Sequence, residues 1–278
     1  MRHLIKADLF RMFKSKMTLV LFILAVTFPV FNALMYVLLR GLFGVATPLA
    51  DTVGLFSANT LIGSSFQLSD NLGIVIPLLA GALVCTDFTS GTLRNKIIAG
   101  NDRVRIYFSH LIVSILFSLG LIYIYTLSTV GFSLLMLPYK ADFSSNVLQE
   151  YVFWAVNGTM SFVFISTVST FFAMTFRSIA PTILSTLGVI FLLVILTGAI
   201  MMADYSNLRP FVYLIPTFSG NFFSLTGQAS LASVGLALYG VANDSKEVIF
   251  TYGMLSFGGF SVINTALGLI LFCKRDLK

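Results

Sequence analysis

The residues whose types and spacing could support chemistry are concentrated in one polar segment between two long apolar stretches. It runs from Asp87 to Arg105 and reads DFTSGTLRNKIIAGNDRVR. Leu93 and Ile97 lie one helical turn apart, and Gly100 is of the residue type that most often ends a helix. The segment therefore predicts a short helix between two longer ones, lying flat on a membrane surface.

The predicted short helix displays Arg94, Asn95 and Lys96 towards solvent or a partner. Because it is held between two rigid helices, a push on its surface would pass into both of them. Two interpretations remain open. These residues form a contact surface that transmits such a push, or their positive charge only fixes which side of the membrane the segment occupies.

Motifs that carry catalysis are absent from the sequence. It contains no G-x-x-x-x-G-K-[ST] run, no H-E-x-x-H metal site and no G-x-S-x-G elbow. Cys85 and Cys273 lack metal-ligand spacing and are expected to be reduced thiols, and His3 and His110 have no evident metal partners. We therefore expect a protein that is not an enzyme and holds no cofactor or metal of its own.

The amino-acid composition indicates that most of this chain is surrounded by lipid and not by water. Of the 278 residues, 57% are hydrophobic and only 10% are charged, and the mean hydropathy is +0.95. Soluble domains carry about 25% charged residues. A chain this apolar cannot cover its surface with polar groups, so lipid must surround most of it.

Six apolar stretches are each long enough for a transmembrane helix, which needs roughly 20 residues. They are Met17–Leu39, Asn71–Phe88, Ile106–Leu137, Tyr151–Phe176, Ser178–Ala203 and Val248–Cys273. No span centre holds an Asp, Glu, Lys or Arg, which disfavours a carrier driven by protons or ions. The fold class is therefore an all-α membrane protein, a six-span helical bundle.

Three asparagines, Asn32, Asn157 and Asn264, lie within the predicted spans. Each either lines a translocation path or hydrogen-bonds to a neighbouring helix, which is the more common role of such residues.

The positive charge of the chain is distributed by side. With the N-terminus in the cytoplasm, the cytoplasmic segments hold 13 of the 17 Lys and Arg, whereas the outer segments hold seven of the eleven Asp and Glu. The net charge of +6 is therefore explained by topology and not by nucleic acid. We expect a multi-pass protein of a bacterial cell membrane with both termini in the cytoplasm.

Two segments leave the number of spans open. Residues 210–243 contain no charge but carry two prolines and several glycines, and we interpret them as a re-entrant outer segment between the fifth and sixth spans. Residues 52–69 are rich in Ser, Thr, Asn and Gly and are interpreted as an external loop or short helix. If both crossed the membrane, the chain would have eight spans and its termini would still share one side.

The first 16 residues have the pattern of an amphipathic helix lying in the membrane interface. Apolar residues recur at helical spacing, and most basic residues lie elsewhere on the helix. The residues assigned to this interfacial helix are Ile5, Lys6, Leu9, Arg11, Phe13 and Lys14, with Met12 on the apolar face. The helix is either a membrane anchor alone or a lever that also contacts a cytoplasmic partner.

The polar segment resembles the loop between the second and third spans of ABC-2 type transporter permeases. These are the membrane subunits of ATP-binding-cassette exporters such as the bacitracin-resistance and lantibiotic-immunity permeases. The likeness begins with an acidic residue, Asp87, at the end of the second span. It continues with the run Gly91-Thr92-Leu93-Arg94-Asn95-Lys96 and with two later residues, Gly100 and Arg103. Family members commonly have Glu at the acidic position. The N-terminal helix, six spans, long outer segment and basic C-terminus extend the likeness to nearly the whole chain.

The resemblance implies a single transmembrane domain over residues 1–278, whose polar segment is a coupling helix that docks on an ATPase subunit. The implied coupling residues are Asp87, Gly91, Thr92, Leu93, Arg94, Asn95, Lys96, Gly100 and Arg103. It further implies two ATPase subunits, which hold ATP and Mg²⁺, a second permease subunit, identical or related, and the surrounding lipid. The expected function is export of amphipathic or hydrophobic substrates, with antimicrobial or cytolytic peptides first. The alternative is a membrane-embedded enzyme, or a sensor or assembly subunit that transports nothing.

Overall fold

The structure, a computed structural model, describes residues 1–44, 58, 61, 62, 65, 71–137, 147–202 and 246–274. Every regular element within these residues is helical. The helices are α1 (Arg2–Lys14), α2 (Lys16–Leu39, continued by a π-helical turn at Arg40–Gly44), α3 (Asn71–Thr89), α4 (Thr92–Ile98), α5 (Arg103–Met136), α6 (Val147–Phe176), α7 (Ile179–Met202) and α8 (Lys246–Lys274). Backbone hydrogen bonds are satisfied within each helix, as a lipid environment requires.

Four segments are long and apolar enough to cross a membrane: Lys16–Leu42, Arg103–Met136, Val152–Phe176 and Phe250–Lys274. They coincide with the first, third, fourth and sixth predicted spans. The second and fifth predicted spans are also helical, as α3 and α7. Their apolar portions with described side chains, Leu79–Thr89 and Ile179–Leu193, are shorter than a span requires. The all-helical membrane class is therefore confirmed, and the count of six remains a prediction. Residues 210–243 and most of 52–69 lie outside the described residues.

Helices α5 and α6 form the centre of the bundle. Helix α6 packs against α3, α5, α7 and α8, whereas α5 also packs against α1 and α2. The main apolar core lies between them and includes Phe117, Leu121, Phe162 and Ile165, all of which are buried. This arrangement makes α5 the element that connects the first two helices with the rest of the protein.

The centre of α6 is rich in buried hydroxyl side chains, yet these satisfy themselves locally. The hydroxyls of Ser161, Ser166, Thr167 and Thr170 each donate to a backbone carbonyl three or four residues earlier in the same helix. Short side chains bonded in this way let neighbouring helices approach closely. Between helices, Asn32 Nδ2 donates to the Tyr125 hydroxyl at 3.2 Å, so this asparagine joins α2 to α5.

Helix α5 is longer than a bilayer requires. Its 34 residues extend over about 51 Å, whereas the hydrocarbon core of a bilayer is about 30 Å thick. Helix α1 packs along its first four turns: Asp8 accepts a hydrogen bond from Ser109, and the Phe13 ring lies 5.0 Å from the Phe117 ring. The extra turns of α5 thus form a support for the N-terminal helix.

The structure changes the interpretation of α1. Its apolar residues Ile5, Leu9 and Met12 pack against the protein core, with Met12 buried and the other two partly buried. A break at Ser15, which has an extended backbone conformation, separates α1 from α2 and lets α1 fold back onto α5. The amphipathic pattern correctly predicts a helix with one apolar face, and most of that face packs against α5 and its neighbours, whereas Phe13 stays largely exposed.

The packing of α8 on α5 depends on one glycine. Tyr107 of α5 is fully buried, and a Cβ atom at Gly268 of α8 would overlap the hydroxyl group of its ring. The same ring packs against Phe272, at 6.2 Å between ring centroids. Gly268 therefore provides the space into which the Tyr107 side chain fits.

We expect Gly268→Ala to lower the stability of the protein by about 2 kcal/mol, since an added methyl group in a packed interface forces side chains to shift. Tyr107→Phe in the same chain should recover part of this loss by removing the overlapping hydroxyl. Thermal unfolding of the purified protein in detergent measures both effects. Gly258→Ala is the matched control, because a Cβ atom there meets no neighbour within 4 Å. Equal losses from the two glycine substitutions would contradict this account.

Candidate functional site

Two buried carboxylates mark the place where four helices meet. Asp87 lies in the last turn of α3 and Asp8 lies near the middle of α1, and both side chains are inaccessible to solvent. An unpaired carboxylate is costly to bury, so each requires a cation or several hydrogen-bond donors beside it. The surrounding side chains of α1, α4 and α5 supply both.

Lys96 of α4 joins the two carboxylates. Its Nζ atom lies 2.7 Å from Asp8 Oδ1 and 2.7 Å from Asp87 Oδ2, and only 15% of its side chain is exposed. The sequence analysis placed Lys96 on the outer face of the short helix. The structure turns it inwards, because α4 has its buried residue Leu93 one turn earlier on the same face. Lys96 therefore connects α4 to α1 and α3 at once.

Arg11 of α1 supplies the second positive charge. Its guanidinium group forms an ion pair with Asp87, lies 3.6 Å from Asp8 and donates to the backbone carbonyl of Leu83 in α3. Two acids and two bases thus share the site, and their formal charges cancel. We refer to Asp8, Arg11, Asp87 and Lys96 together as the ionic cluster.

Two hydroxyl groups complete the hydrogen bonding of the carboxylates. Thr92 Oγ1, in the first residue of α4, donates to Asp87 Oδ1 at 2.6 Å, and Ser109 Oγ of α5 donates to Asp8 Oδ2 at 2.9 Å. These neutral donors fix the orientation of each carboxylate without adding charge. Each acid is therefore held by groups from at least two other helices.

His110 of α5 lies against the ionic cluster. Its Nε2 atom is 3.2 Å from Asp87 Oδ2 and its Nδ1 atom is 3.9 Å from Asp8 Oδ2, and neither ring nitrogen makes a hydrogen bond to a described residue. Asp8, Asp87 and His110 form a donor set that could bind a divalent metal ion. The Lys96 ammonium lies within hydrogen-bonding distance of both carboxylates, however, so the cation role at their centre is taken by a side chain.

Burial and the nearby opposite charge act on the pKa in opposite directions, both at Asp8 and at Lys96. Burial alone would raise the pKa of Asp8, but the neighbouring His110 and Lys96, with the hydrogen bond from Ser109, outweigh it and hold this pKa below its usual value of 3.8. Burial lowers the pKa of Lys96 from its usual value of 10.5, and the attraction of Asp8 limits that effect.

The opposite face of α4 is exposed. It presents Arg94, Asn95 and Ile98, and 76% of the Ile98 side chain is exposed. Leu93 and Ile97 face the protein, where they pack with the ends of α3 and α5. The short helix thus has two distinct sides: one is tied to the ionic cluster and the other offers two polar side chains and one apolar side chain.

Glycines bound α4 at both ends. Gly91 has a φ of +68° and Gly100 a φ of +83°, in the left-handed region that other residues rarely adopt. These two positions reverse the chain sharply, so that a helix of seven residues fits between α3 and α5. The sequence predicts a helix end at Gly100, and the structure adds the turn at Gly91.

Arg103 extends the connection to the last helix. Its Nη1 atom donates to the backbone carbonyl of Cys273, at the C-terminal end of α8, at 2.8 Å. The terminal carbonyls of a helix lack partners within that helix, and a guanidinium group there also interacts favourably with the helix dipole. Arg103 therefore ties the beginning of α5 to the end of α8.

The structure brings together four of the residues that the sequence indicated and adds three. Arg11, Asp87 and Lys96 belong to the ionic cluster and Thr92 donates to Asp87, whereas Arg94 and Asn95 face outwards. The additions are Asp8, Ser109 and His110. A sequence signal existed for Asp8, since it lies three residues after Ile5 and four before Met12, on the apolar face of α1. An acid on such a face indicates a buried partner.

Comparison with known proteins does not extend this description. No protein-family model matches the chain, and no curated protein matches it. The class of protein that the structure itself defines is an all-helical membrane protein with a buried ionic cluster at one end of its bundle.

Removing the Lys96 charge tests the cluster. We expect Lys96→Met to lower stability by about 3 kcal/mol, because it leaves two buried carboxylates with one cation between them. Arg94→Met, two residues away on the exposed face of α4, should change stability by less than about 0.5 kcal/mol. Thermal unfolding of the two variants in the same detergent gives the comparison. If both substitutions were equally mild, Lys96 would not hold the helices together.

The lowered pKa of Asp8 predicts a loss of stability in acid. In the folded protein this carboxylate stays charged at pH values at which the unfolded chain has taken up a proton. Its contribution to the free energy of unfolding is therefore present above pH 3.8 and is lost as the pH falls below that value towards the native pKa. We expect Asp8→Asn to flatten the fall in unfolding temperature between about pH 5 and about pH 3. Asp102→Asn, at an exposed carboxylate, serves as the control and should leave that fall unchanged.

Proposed function

We propose that this protein is the membrane-spanning permease subunit of an ATP-binding-cassette exporter. The observation that supports it is the construction of α4: a short helix whose outer face is exposed and whose inner face is joined by Lys96 and Thr92 to two other helices. A protein that docks on the outer face and moves would displace the ionic cluster with it. That is the mechanical property which a coupling helix needs.

Force on α4 has three routes into the bundle. Lys96 leads to Asp8 of α1 and to Asp87 of α3, and Asp8 leads through Ser109 to α5. The third route passes along the chain through Gly100 to Arg103, and from there to the end of α8. Movement of α4 would thus reach α1, α3, α5 and α8 together. This favours a rigid-body change between two access states of the bundle.

The docking partner in this proposal is an ATPase subunit that binds ATP and Mg²⁺, in two copies. Arg94 and Asn95 would contact its polar surface and Ile98 would fill an apolar depression, since these are the exposed residues of α4. Lys96, which the sequence analysis grouped with them, would transmit the movement instead. The proposal assumes α4 and both termini in the cytoplasm, six spans, and residues 210–243 as the re-entrant outer segment expected from the sequence.

The substrate class in the proposal is amphipathic or hydrophobic, and a second permease subunit completes the path. A cavity of about 150 Å³ lies among α6, α7 and α8, and it is lined largely by Phe, Val and Leu side chains, with the polar Asn264 at one side. An apolar cavity of this size accommodates a ring or a short hydrocarbon group. Its lining favours substrates with apolar parts, such as antimicrobial or cytolytic peptides.

An enzyme is the other class that deserves comparison, because Asp8, Asp87 and His110 resemble a catalytic set by composition. Catalysis requires a substrate within hydrogen-bonding reach of such groups. All three side chains are buried here, and both carboxylates are already engaged by Lys96, Arg11 and hydroxyl donors. Their arrangement favours a role in holding the helices together over a role in catalysis.

Charge reversal at Arg94 tests the docking role. The protein is purified under native conditions, and the amount of ATP-binding-cassette ATPase that co-purifies with it is measured. We expect Arg94→Glu to reduce the co-purified ATPase about tenfold, because a reversed charge meets a like charge across the contact. Membrane insertion should be unaffected, since the side chain is exposed and outside the ionic cluster.

Arg105→Glu is the control for a general effect of charge, since Arg105 is exposed and pairs with Asp102 outside α4. Unchanged co-purification and unchanged substrate-stimulated ATPase activity in Arg94→Glu would eliminate the docking role. Absence of any associated ATPase would count against the permease function as a whole.

A further inference from the structure

The outer face of α1 presents aromatic side chains that the bundle does not cover. Phe10 is 61% exposed and Phe13 is 68% exposed, although Phe13 also touches Phe117 along one edge. Two largely exposed phenylalanines on a helix of 13 residues would be costly to leave in water. Ile5, Leu9 and Met12 of the predicted apolar face already pack against the bundle, so the Phe10 and Phe13 rings require a different surrounding.

The same face is strongly basic. Lys6 and Lys14 are exposed on it, and Arg2 and Lys16 are exposed at the two ends of the region. Asp8 is the one acidic residue among the first 16, and it is buried in the ionic cluster. Within the described residues, no carboxylate forms an ion pair with Lys6 or Lys14. The outer face of α1 therefore carries uncompensated positive charge beside two exposed rings.

The position of this face is at the edge of the apolar bundle. The first apolar span begins at Lys16, two residues after α1 ends, and Phe13 meets α5 about 21 Å from the start of that helix. The Lys14 ammonium lies 4.5 Å from the centre of the Phe10 ring, so the charge is held directly over an aromatic face. Lysines beside aromatic rings at this depth place their charge among headgroups and their stems in hydrocarbon.

We propose that the outer face of α1 is a binding surface for anionic phospholipid, with Phe10 and Phe13 inserted at the headgroup boundary and Lys6 and Lys14 contacting the phosphate groups. Continuity with the first span favours lipid over a protein partner, since lipid necessarily surrounds the adjoining residues of α2. The inference does not depend on the ATP-binding-cassette proposal. The ionic cluster contributes by holding α1 in place, so that its outer face is already oriented towards the membrane.

The test uses the full-length protein in lipid nanodiscs and one reporter tryptophan. The chain contains a single tryptophan, Trp154, so Phe10→Trp in a Trp154→Phe background gives a signal from α1 alone. Nanodiscs contain neutral phosphatidylcholine with a minor fraction of brominated phosphatidylglycerol or of brominated phosphatidylcholine. We expect the anionic brominated lipid to quench the tryptophan about twofold more than the neutral one, because each lysine near the surface favours anionic headgroups about fivefold.

The second part of the test removes the positive charges of Lys6 and Lys14. Lys6→Gln with Lys14→Gln should bring quenching by the two brominated lipids to the same level, and so should high salt, which screens exposed charges. Arg94→Gln removes an equally exposed charge from α4 and should leave the difference intact. If Trp154→Phe does not fold, Phe10→Trp is measured in the native background and the quenching of Trp154 in the unmodified protein is subtracted.

Three results would overturn the inference. Equal quenching by the anionic and neutral brominated lipids in the otherwise unmodified reporter protein would eliminate recognition of anionic headgroups. Strong quenching by aqueous iodide with none by either lipid would show that α1 faces water. Protection from iodide on addition of the ATPase would assign the face to that protein instead. Each outcome leaves the role of α4 to be decided by the Arg94 experiment.

Discussion

The structure depends on the neutralisation of two buried carboxylates. Asp8 and Asp87 come from parts of the chain 79 positions apart, and neither is stable in the apolar end of the bundle without Arg11 and Lys96. Since the cations belong to α1 and α4, the requirement for charge balance fixes the positions of three helices relative to one another. Ser109 extends this constraint to α5, the helix on which the remaining packing depends.

The two sides of α4 differ: the inner side binds the helix to the rest of the protein, and the outer side is exposed. Lys96 and Leu93 belong to the inner side of α4, whereas Arg94 and Ile98 belong to the outer side. A seven-residue helix is too short to be stable alone, so its geometry must come from tertiary contacts. The ionic cluster provides them, and the outer side is left available for recognition.

Much of the fold could be predicted from hydropathy, because long apolar runs in a lipid solvent have one structural solution. The turn at Gly100 could be predicted for a similar reason, as few other residues tolerate a left-handed conformation, whereas Gly91 is indicated only by the resemblance. The direction of the Lys96 side chain could not, because it is set by Asp8, which is distant in sequence. The same applies to α1: periodicity revealed its apolar face but not whether protein or lipid covers it.

The closed charge balance also restricts how the sequence can change. A substitution at Asp8, Asp87 or Lys96 taken singly leaves a charge without its partner, whereas a paired exchange of an acid and a base can preserve neutrality. Descendants of this sequence should therefore alter these positions in concert, while Arg94 and Ile98, which lie outside the cluster, are under no such restriction. A chimaera that imports a foreign short helix would need the matching residue of the N-terminal helix as well.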